Sequence, residues 1–593
     1  MEAKEKSLTF LRQEQALYNV PYFQRSYVWR RDNWEELWDE LTSERKSCFL
    51  GSIILKTNTI KDGITYKEII DGQQRLTTLT ILLRAILDSK YKGLSGDDVS
   101  DYESMLFYKQ QIRTMAGRKT MPYNRITHSR LDKKDYSSII KGEYAANWSD
   151  IGAGDSQLLN CYKYFMQELS HCPDDAFERL ENKLILDVSK ILVVIDLNED
   201  EDAQAIFDTI NSAGVRLTSA DIIKNALFRN VIDVDTDDDS FYIDTWHACF
   251  EKDEETVEKW LAMKGSGQNQ RTYIDMFLQC FAIINGFFDP AKDTLSDIPK
   301  KYKKVLETKT VDEIKSFIKE ICEYAKLYER TFIGFDSLTS YTFDDGKVRL
   351  LQILNTLKIT TFDAYILKTI KELGEGEYIE RFKKLEKYII RNLIVNSKDK
   401  KSYNLENAAL IAGNLDLDER LRKDEISDDK IKQRLKWMYN DPAKLILFWI
   451  ELYLEKETQE FDRNAGLKYS FQLEHIMPQS YKKNWGVDAL YVYNEDGSRC
   501  DDEEAANEIR NNALYEIGNM TLLTAKLNKE LQNYSFTDKL NGKEIDGKFC
   551  GGIITFSTLL ITKDVIAAER SGWDERTIRA RTEKITDLFF KIW

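Results

Sequence analysis

The chain has 593 residues and a net charge of −15, with 85 lysines and arginines against 100 aspartates and glutamates. This balance excludes a protein that coats nucleic acid with a uniformly basic surface, but it allows an enzyme with a locally basic cleft. Hydrophobic residues make up 42% and charged residues 31%, which is typical of a globular protein with several domains. No apolar run reaches the ~18 residues of a membrane span, and the N-terminus lacks the apolar segment of a signal peptide. Eight scattered cysteines without a Cys-x-x-Cys pair predict a cytoplasmic protein.

The first part of the chain, about residues 1–230, mixes strand and helix patterns. Runs rich in β-branched residues predict strands at Phe49–Lys56, Thr65–Ile70 and Ile191–Leu197. Lys61-Asp62-Gly63 predicts the hairpin turn between the first two strands. The apolar pattern of Leu76–Asp88 predicts a helix after the second strand. A strand that turns at a glycine into a helix exposes backbone N–H groups to an anion.

That turn has the sequence Asp71-Gly-Gln-Gln-Arg75. Gly72 allows a ligand to approach the backbone closely, and Arg75 offers two parallel N–H donors to a phosphate. Gln73 and Gln74 can position water or polar atoms. The carboxylate of Asp71 alone would repel an anion. If an anion binds beside Asp71, this residue either holds a bridging metal ion or acts as a base that orients water. The alternative is a plain hairpin-to-helix turn with a capping aspartate.

The middle part, about residues 231–430, has mostly helical periodicity. Residues 231–260 carry eleven acidic and two basic side chains, a surface that phosphates avoid. Residues 381–401 carry eight basic and two acidic side chains above an apolar stripe. This pattern predicts either a helix that meets a DNA backbone or a solvated helix face.

The third part, about residues 431–593, contains the histidine with the strongest chemical context. We predict that His171 and His247 are structural and that His128 faces solvent. His475 follows Glu474 directly, which places a metal ligand beside a general base, as hydrolysis of a phosphodiester with one metal ion requires.

Two asparagines downstream complete this candidate site. Asn519 can hold the imidazole of His475 in orientation, and Asn528 can supply a neutral oxygen ligand. A site rich in oxygen and free of thiolates suits Mg²⁺ or Mn²⁺ better than zinc.

The motifs Glu-His-Ile-x-Pro-Gln (474–479) and Gly-Asn-x-x-Leu-Leu-x-x-x-x-Asn (518–528) resemble those of the HNH, or His-Me finger, nucleases. The resemblance implies a β-hairpin and a helix around one metal ion, in a ββα-metal domain embedded in helices. It makes Glu474 and Asn528 metal ligands, His475 the general base and Asn519 the residue that orients the base. The sequence departs from the family in having Glu where Asp is common, and in an insertion, Lys482–Glu516, which is either a lid or a spacer.

The N-terminal motifs have a second resemblance. They comprise residues 21–29, 49–53, 71–78, 211–218 and 220–224. Together they resemble the ParB/sulfiredoxin-like N-terminal domain of GmrSD-type proteins, which binds and hydrolyses nucleoside triphosphates through an Asp-Gly-Gln-Gln-Arg motif. The resemblance makes Asp71 a catalytic residue of this domain and adds further candidates for the pocket: Gln24, Arg25, Asp221 and Lys224.

The two resemblances together imply an α+β, multidomain, type IV (modification-dependent) restriction endonuclease of antiphage defence. Its parts would be a mixed α/β nucleotide-binding domain (1–230), a helical linker domain (231–430) and a nuclease domain (431–593). The expected partners are modified phage DNA and GTP, UTP or ATP, with no membrane. A second copy of the chain is a further candidate partner. Two alternatives stay open: a nucleotide-responsive DNA-binding protein with an inert nuclease site, and an RNA-directed nuclease toxin. If a modified base is flipped out, the aromatic candidates for its cage are Tyr22, Tyr27 and Trp29.

Overall fold

The computed structural model divides the chain into two compact units, Met1–Phe241 and Tyr242–Trp593. It describes residues 2–20, 26–45, 48–61, 64–90, 96–114, 117–128, 130–197, 218–228, 231, 240–265, 270–336, 338–395, 403–458, 466–485, 491–531, 533–545 and 548–593. Within these ranges no helix combines the length and the apolar character needed to cross a membrane. The second unit contains both the helical middle region and the C-terminal region.

A six-stranded mixed sheet forms the centre of the N-terminal unit. Its strands lie side by side in the order Glu2–Lys6, Leu192–Leu197, Ser52–Lys61, Ile64–Asp71, Ala16–Asn19 and Ile126–Thr127. The strands Ser52–Lys61 and Ile64–Asp71 pair antiparallel, while Leu192–Leu197 runs parallel to Ser52–Lys61. The three strands predicted from β-branched runs are therefore confirmed. The tip of the predicted hairpin turn, residues 62–63, lies outside the described residues.

The helices of the N-terminal unit pack around this sheet. Gln73–Lys90 is buried on nearly every side, with Leu76, Leu79 and Ile86 fully inaccessible, because it is apolar around most of its circumference. A separate antiparallel hairpin joins Phe107–Thr114 to Gly117–Asn124. The other helices are Phe10–Gln13, Arg31–Thr42, Gly96–Leu106, Arg130–Ile140, Gln157–His171, Asp174–Ile185 and Ser219–Phe228, with a 3₁₀ turn at Trp148–Asp150.

The C-terminal unit is predominantly helical, as predicted for the middle region. Its helices before the His475 strand are Glu254–Leu261, Tyr273–Ile284, Ile298–Leu306, Val311–Tyr328, Gly334–Asp336, Gly346–Leu357, Asp363–Glu372, Glu375–Val395, Tyr403–Ile411, Leu417–Leu421, Asp428–Leu435 and Asn440–Thr458. The helical turn Ser240–Tyr242 leads into the π-helical segment Ile243–Glu251, a second π-helical segment is Glu329–Ile333, and 3₁₀ turns lie at Leu295–Asp297 and Asp424–Ile426.

The C-terminal unit contains short strand pairs, the first in its helical middle region and the other three among the helices of its last part. The pairs are Met263–Lys264 with Arg271–Thr272, Gln472–His475 with Met520–Leu523, Val492–Tyr493 with Arg499–Cys500, and Gly542–Ile545 with Lys548–Gly551. The helices are Lys482–Trp485, Glu503–Leu514, Ala525–Leu531, Phe536–Asn541, Ile553–Phe556, Lys563–Ala567 and Glu575–Ile592, with 3₁₀ turns at Ile517–Asn519 and Leu560–Thr562. The last helix begins at Glu575, because the Asp574 side chain caps the N–H groups of Arg576 and Thr577.

Candidate active site

A two-stranded antiparallel ribbon carries Glu474 and His475. We call Gln472–His475 with Met520–Leu523 the His475 ribbon. Glu474 pairs with Thr521 and His475 with Met520, and the helix Ala525–Leu531 follows the second strand. The structure thus contains the predicted hairpin and helix.

Asn519 holds the segment that follows His475. Its side chain is fully buried, accepts hydrogen bonds from the Met477 N–H (2.8 Å) and the Trp573 indole (3.1 Å), and donates to the carbonyls of Met477 (2.9 Å) and Leu514 (3.1 Å). These contacts fix the backbone two residues beyond His475. The described hydrogen bonds of the Asn519 side chain thus go to the main chain and to Trp573, and none goes to the His475 imidazole.

A lysine that the sequence analysis missed lies against Glu474. The Lys539 side chain is completely buried and donates to the Glu474 carboxylate and to the His475 carbonyl, the latter at 2.8 Å. Burial raises the pKa of Glu474 and lowers the pKa of Lys539, and each group partly opposes the shift of the other. No local motif marks Lys539, because it comes 65 residues after Glu474 along the chain.

Three buried polar atoms in or beside the ribbon have no hydrogen-bond partner in the structure: Nε2 of His475, Oγ1 of Thr521 and Oδ1 of Asn528. Asn528 adjoins the ribbon through its amide N–H, which donates to the Leu473 carbonyl at 3.4 Å. Burial, together with the positive charge of Lys539, lowers the pKa of His475 to about 4. The imidazole is therefore uncharged at neutral pH, and its ring nitrogen can accept a proton.

The insertion Lys482–Glu516 is packed against the last helix. Arg510 lies in its helix Glu503–Leu514 and forms a buried ion pair with Glu575 at 2.8 Å. The same guanidinium donates to the carbonyl of Tyr491 at 3.2 Å. These contacts favour a spacer over a lid for this part of the insertion.

In the N-terminal unit, the Asp71-Gly-Gln-Gln-Arg75 motif spans the end of a strand and the start of a helix, as predicted. Gly72 has φ +84°, and a Cβ on Gly51 (φ +107°) would lie 2.7 Å from the Arg75 guanidinium, so both glycines are needed for this close packing. Arg75 donates to the Ser52 carbonyl at 2.8 Å, and burial lowers its pKa while Asp71 opposes the shift. Arg75 and Asp71 thus lie close together where the strand Ile64–Asp71 ends and the helix Gln73–Lys90 begins.

Gln74 binds the backbone of the segment before the first long helix. Its carbonyl oxygen accepts from the N–H groups of Val28 (2.9 Å) and Trp29 (3.4 Å), and its amide donates to the Ser26 carbonyl (3.1 Å). This glutamine therefore has a structural role that the motif alone does not reveal.

We expect Gln74→Leu to destabilise the N-terminal unit by about 1 kcal/mol, because it leaves partly buried backbone groups of Ser26, Val28 and Trp29 without partners. Chemical denaturation followed by tyrosine and tryptophan fluorescence measures the change. The matched control is Gln13→Leu at an exposed glutamine, which should change the stability by less than about 0.5 kcal/mol. Equal stability of the two variants would contradict the structural role of Gln74.

The remaining nucleotide-site candidates are only partly described. Gln24, Arg25 and Tyr22 lie outside the described residues. Asp221 and Lys224 lie on the helix Ser219–Phe228, with 4.0 Å between the Lys224 ammonium and the Asp221 carboxylate. Lys224 is buried, so this lysine points into the unit.

Tyr27 and His128 belong to the interior of the N-terminal unit. The Tyr27 hydroxyl contacts Thr78 (2.6 Å) and accepts from the Trp34 indole (2.9 Å), so Tyr27 is not available for an aromatic cage. The prediction that His128 faces solvent is wrong: it is 5% exposed, and its Nε2 lies 2.9 Å from the Thr77 hydroxyl. The polar neighbours of His128 in sequence hide that it directly follows the edge strand Ile126–Thr127 and lies against Thr77 of the helix Gln73–Lys90.

The basic stretch of the middle region lies mainly on the helix Glu375–Val395. Arg381, Lys383 and Lys384 each pair with an acidic side chain. Arg391 is buried and donates to the Trp593 carbonyl at 3.0 Å. Arg381, Lys383 and Lys384 are exposed and paired, as expected for the solvated helix face, whereas Arg391 is packed inside the unit.

Two family models match the chain. Residues 7–228 match the model described as GmrSD restriction endonuclease, N-terminal domain, and residues 420–588 match GmrSD restriction endonucleases, C-terminal domain. No curated protein matches the chain. The two segments contain the Asp71 motif and the His475 ribbon.

Proposed function

Because the chain belongs to the GmrSD family of restriction endonucleases, we propose that it cleaves modified foreign DNA at the His475 ribbon with a divalent metal ion, under the control of a nucleoside triphosphate. The observation that carries this proposal is that two of the three unpartnered buried atoms at the ribbon, Nε2 of His475 and Oδ1 of Asn528, belong to the predicted base and a predicted metal ligand. Buried polar atoms are rarely left unsatisfied unless water, an ion or a substrate completes them.

The residues around the ribbon fit a hard divalent cation. The Glu474 carboxylate and the Asn528 amide oxygen are the oxygen donors that would hold Mg²⁺ or Mn²⁺. Among the described residues no group of three or more His, Cys, Asp or Glu side chains could hold a metal ion. The proposed metal site therefore has a single carboxylate ligand, Glu474, and water and the substrate phosphate would supply further ligands. A cation bound there would stabilise negative charge on the scissile phosphate and the leaving oxygen.

The protein's own groups have separate tasks in this mechanism. His475 takes the proton of the attacking water at Nε2. Asn519 keeps the backbone after His475 in place through Met477. Lys539 orients the Glu474 carboxylate and binds the His475 carbonyl, so it is a positioning residue.

The N-terminal unit supplies the proposed nucleotide site. Arg75 uses one guanidinium nitrogen for the Ser52 carbonyl, and its other donors can bind phosphate. The positive φ of Gly72 and the following helix N-terminus leave backbone N–H groups for the same anion. Asp71 is the base that orients the hydrolytic water.

We expect Asp71→Asn to reduce nucleoside triphosphate hydrolysis by about a hundredfold or more, the usual effect of losing a general base. Phosphate release with GTP, UTP and ATP in parallel measures the effect and identifies the preferred nucleotide. Glu68→Gln, on the same strand, is the matched control and should leave the rate unchanged. Unchanged hydrolysis by Asp71→Asn would exclude Asp71 as the base.

The decisive test of substrate is a cleavage assay on three polymers side by side: RNA, unmodified DNA and modified phage DNA, each with Mg²⁺ or Mn²⁺ and with or without nucleotide. The proposal predicts cleavage of modified DNA alone. Cleavage of RNA alone would instead support a toxin, and DNA binding without any cleavage would support an inert nuclease site.

A further inference from the structure

A cavity of about 570 Å³ lies in the helical part of the C-terminal unit, outside both segments that the family models match. Small-molecule sites have volumes of about 300–1,000 Å³. Four aromatic side chains line it: Tyr273, Tyr328, Phe332 and Phe335. An aromatic, mostly apolar wall with a few polar groups is the usual composition of such a site.

An unpartnered carboxylate lines the same cavity. Asp363, the first residue of the helix Asp363–Glu372, is only 6% exposed. Within the described part of the chain its carboxylate has no hydrogen bond and no ion pair within 4 Å, although it feels the charge of Lys264. The nearby Lys264 ammonium is engaged with Asp336 at 2.6 Å. Burial raises the pKa of Asp363 to about 8, so the carboxyl group can also donate a hydrogen bond near neutral pH. A mostly buried acid without a hydrogen-bond partner can pair with a ligand that donates N–H groups.

Two further observations concern the same cavity. The Tyr328 hydroxyl is buried and has no hydrogen-bond partner. Lys358, which lines the cavity and is exposed, has φ +55° and is the one non-glycine residue with positive φ in the described ranges. Lys358 is the C-cap of the helix Gly346–Leu357, where the left-handed conformation is common. Glycine would adopt it with less strain than lysine.

We propose that this cavity binds a nucleobase that presents N–H donors along its edge. The aromatic wall stacks on the ring, Asp363 forms hydrogen bonds with the amino or ring N–H groups, as carboxylates do with cytosine, and Lys358 binds the attached phosphate. The base comes either from a free nucleotide or from DNA in which it is turned out of the helix. The site is separate from the His475 ribbon, and its occupancy needs no cleavage.

Calorimetry with the full chain tests the proposal by measuring equilibrium binding of three kinds of probe. These are deoxycytidine and deoxyguanosine monophosphate, deoxyribose 5-phosphate, and a short duplex with one unpaired cytosine or guanine. We expect binding of the base-containing probes and not of the sugar phosphate. Tighter binding of the mononucleotide would identify a free nucleotide as the source of the base. Tighter binding of the duplex would identify DNA. Asp363→Leu should weaken binding about tenfold or more without loss of stability, because it removes a buried unpaired acid of similar size.

Lys358→Gly should weaken binding a few-fold, while the melting temperature stays the same or rises, because glycine adopts the positive φ without strain. The matched control is Asp312→Leu, at an exposed aspartate in the first turn of the helix Val311–Tyr328, which should bind as the wild type does. Absence of binding to every base-containing probe would overturn the proposal. Equal binding by wild type, Asp363→Leu and Lys358→Gly would overturn it as well, because it would place the nucleotide elsewhere, for example in the N-terminal unit.

Discussion

The His475→Ala protein is expected to lose DNA cleavage by a factor of about 10²–10⁴, the contribution of a general base, while it keeps its fold and its nucleotide hydrolysis. The fold should survive because Nε2 of His475 has no hydrogen-bond partner in the structure. Single-turnover cleavage of modified phage DNA with Mg²⁺ or Mn²⁺ measures the first effect. Phosphate release from the nucleoside triphosphate measures the second.

The matched control for this variant is His171→Ala. His171 is exposed at the end of the helix Gln157–His171, and its replacement should change neither activity. Nicking of DNA by His475→Ala at the wild-type rate would show that another group acts as the base.

Lys539→Met is expected to lower the free energy of unfolding by about 3 kcal/mol in the presence of a chelator. The change leaves the Glu474 carboxylate buried beside an apolar side chain, and removal of one partner of a buried ion pair costs about 3–5 kcal/mol. Because a cation at Glu474 would replace the missing charge, Mn²⁺ should raise the melting temperature of this variant more than that of the wild type. Thermal unfolding with chelator and with Mn²⁺ measures both effects.

Lys543→Met provides the control for Lys539→Met. Lys543 forms a half-exposed ion pair with Asp538 at 3.4 Å, and such pairs contribute at most about 1 kcal/mol. If Lys539→Met is destabilised but does not respond to Mn²⁺, the metal assignment to Glu474 is wrong and the ion pair alone is supported. If Lys539→Met is as stable as Lys543→Met, the buried ion pair between Lys539 and Glu474 does not contribute measurably to the free energy of unfolding.

Much of the fold follows from local patterns in the sequence. β-branched runs predicted three strands of the central sheet, and helical periodicity predicted the helical middle region, because hydrophobic periods of two and 3.6 residues reflect which faces are buried. The Glu474–His475 motif and the Asp71 motif also identified the family, since each combines several residue types at fixed spacing. Their individual catalytic roles stay predictions.

Only the tertiary structure reveals the contacts between residues that are far apart in the chain. The buried pairing of Lys539 with Glu474 and the hydrogen bonds from Gln74 to residues 26–29 join separate segments, so no short pattern contains them. The burial of His128 and of Asp363 likewise depends on which elements pack over these side chains. Sequence periodicity records the environment averaged over a helix or strand, whereas the partner of a single buried polar group is set by chain topology.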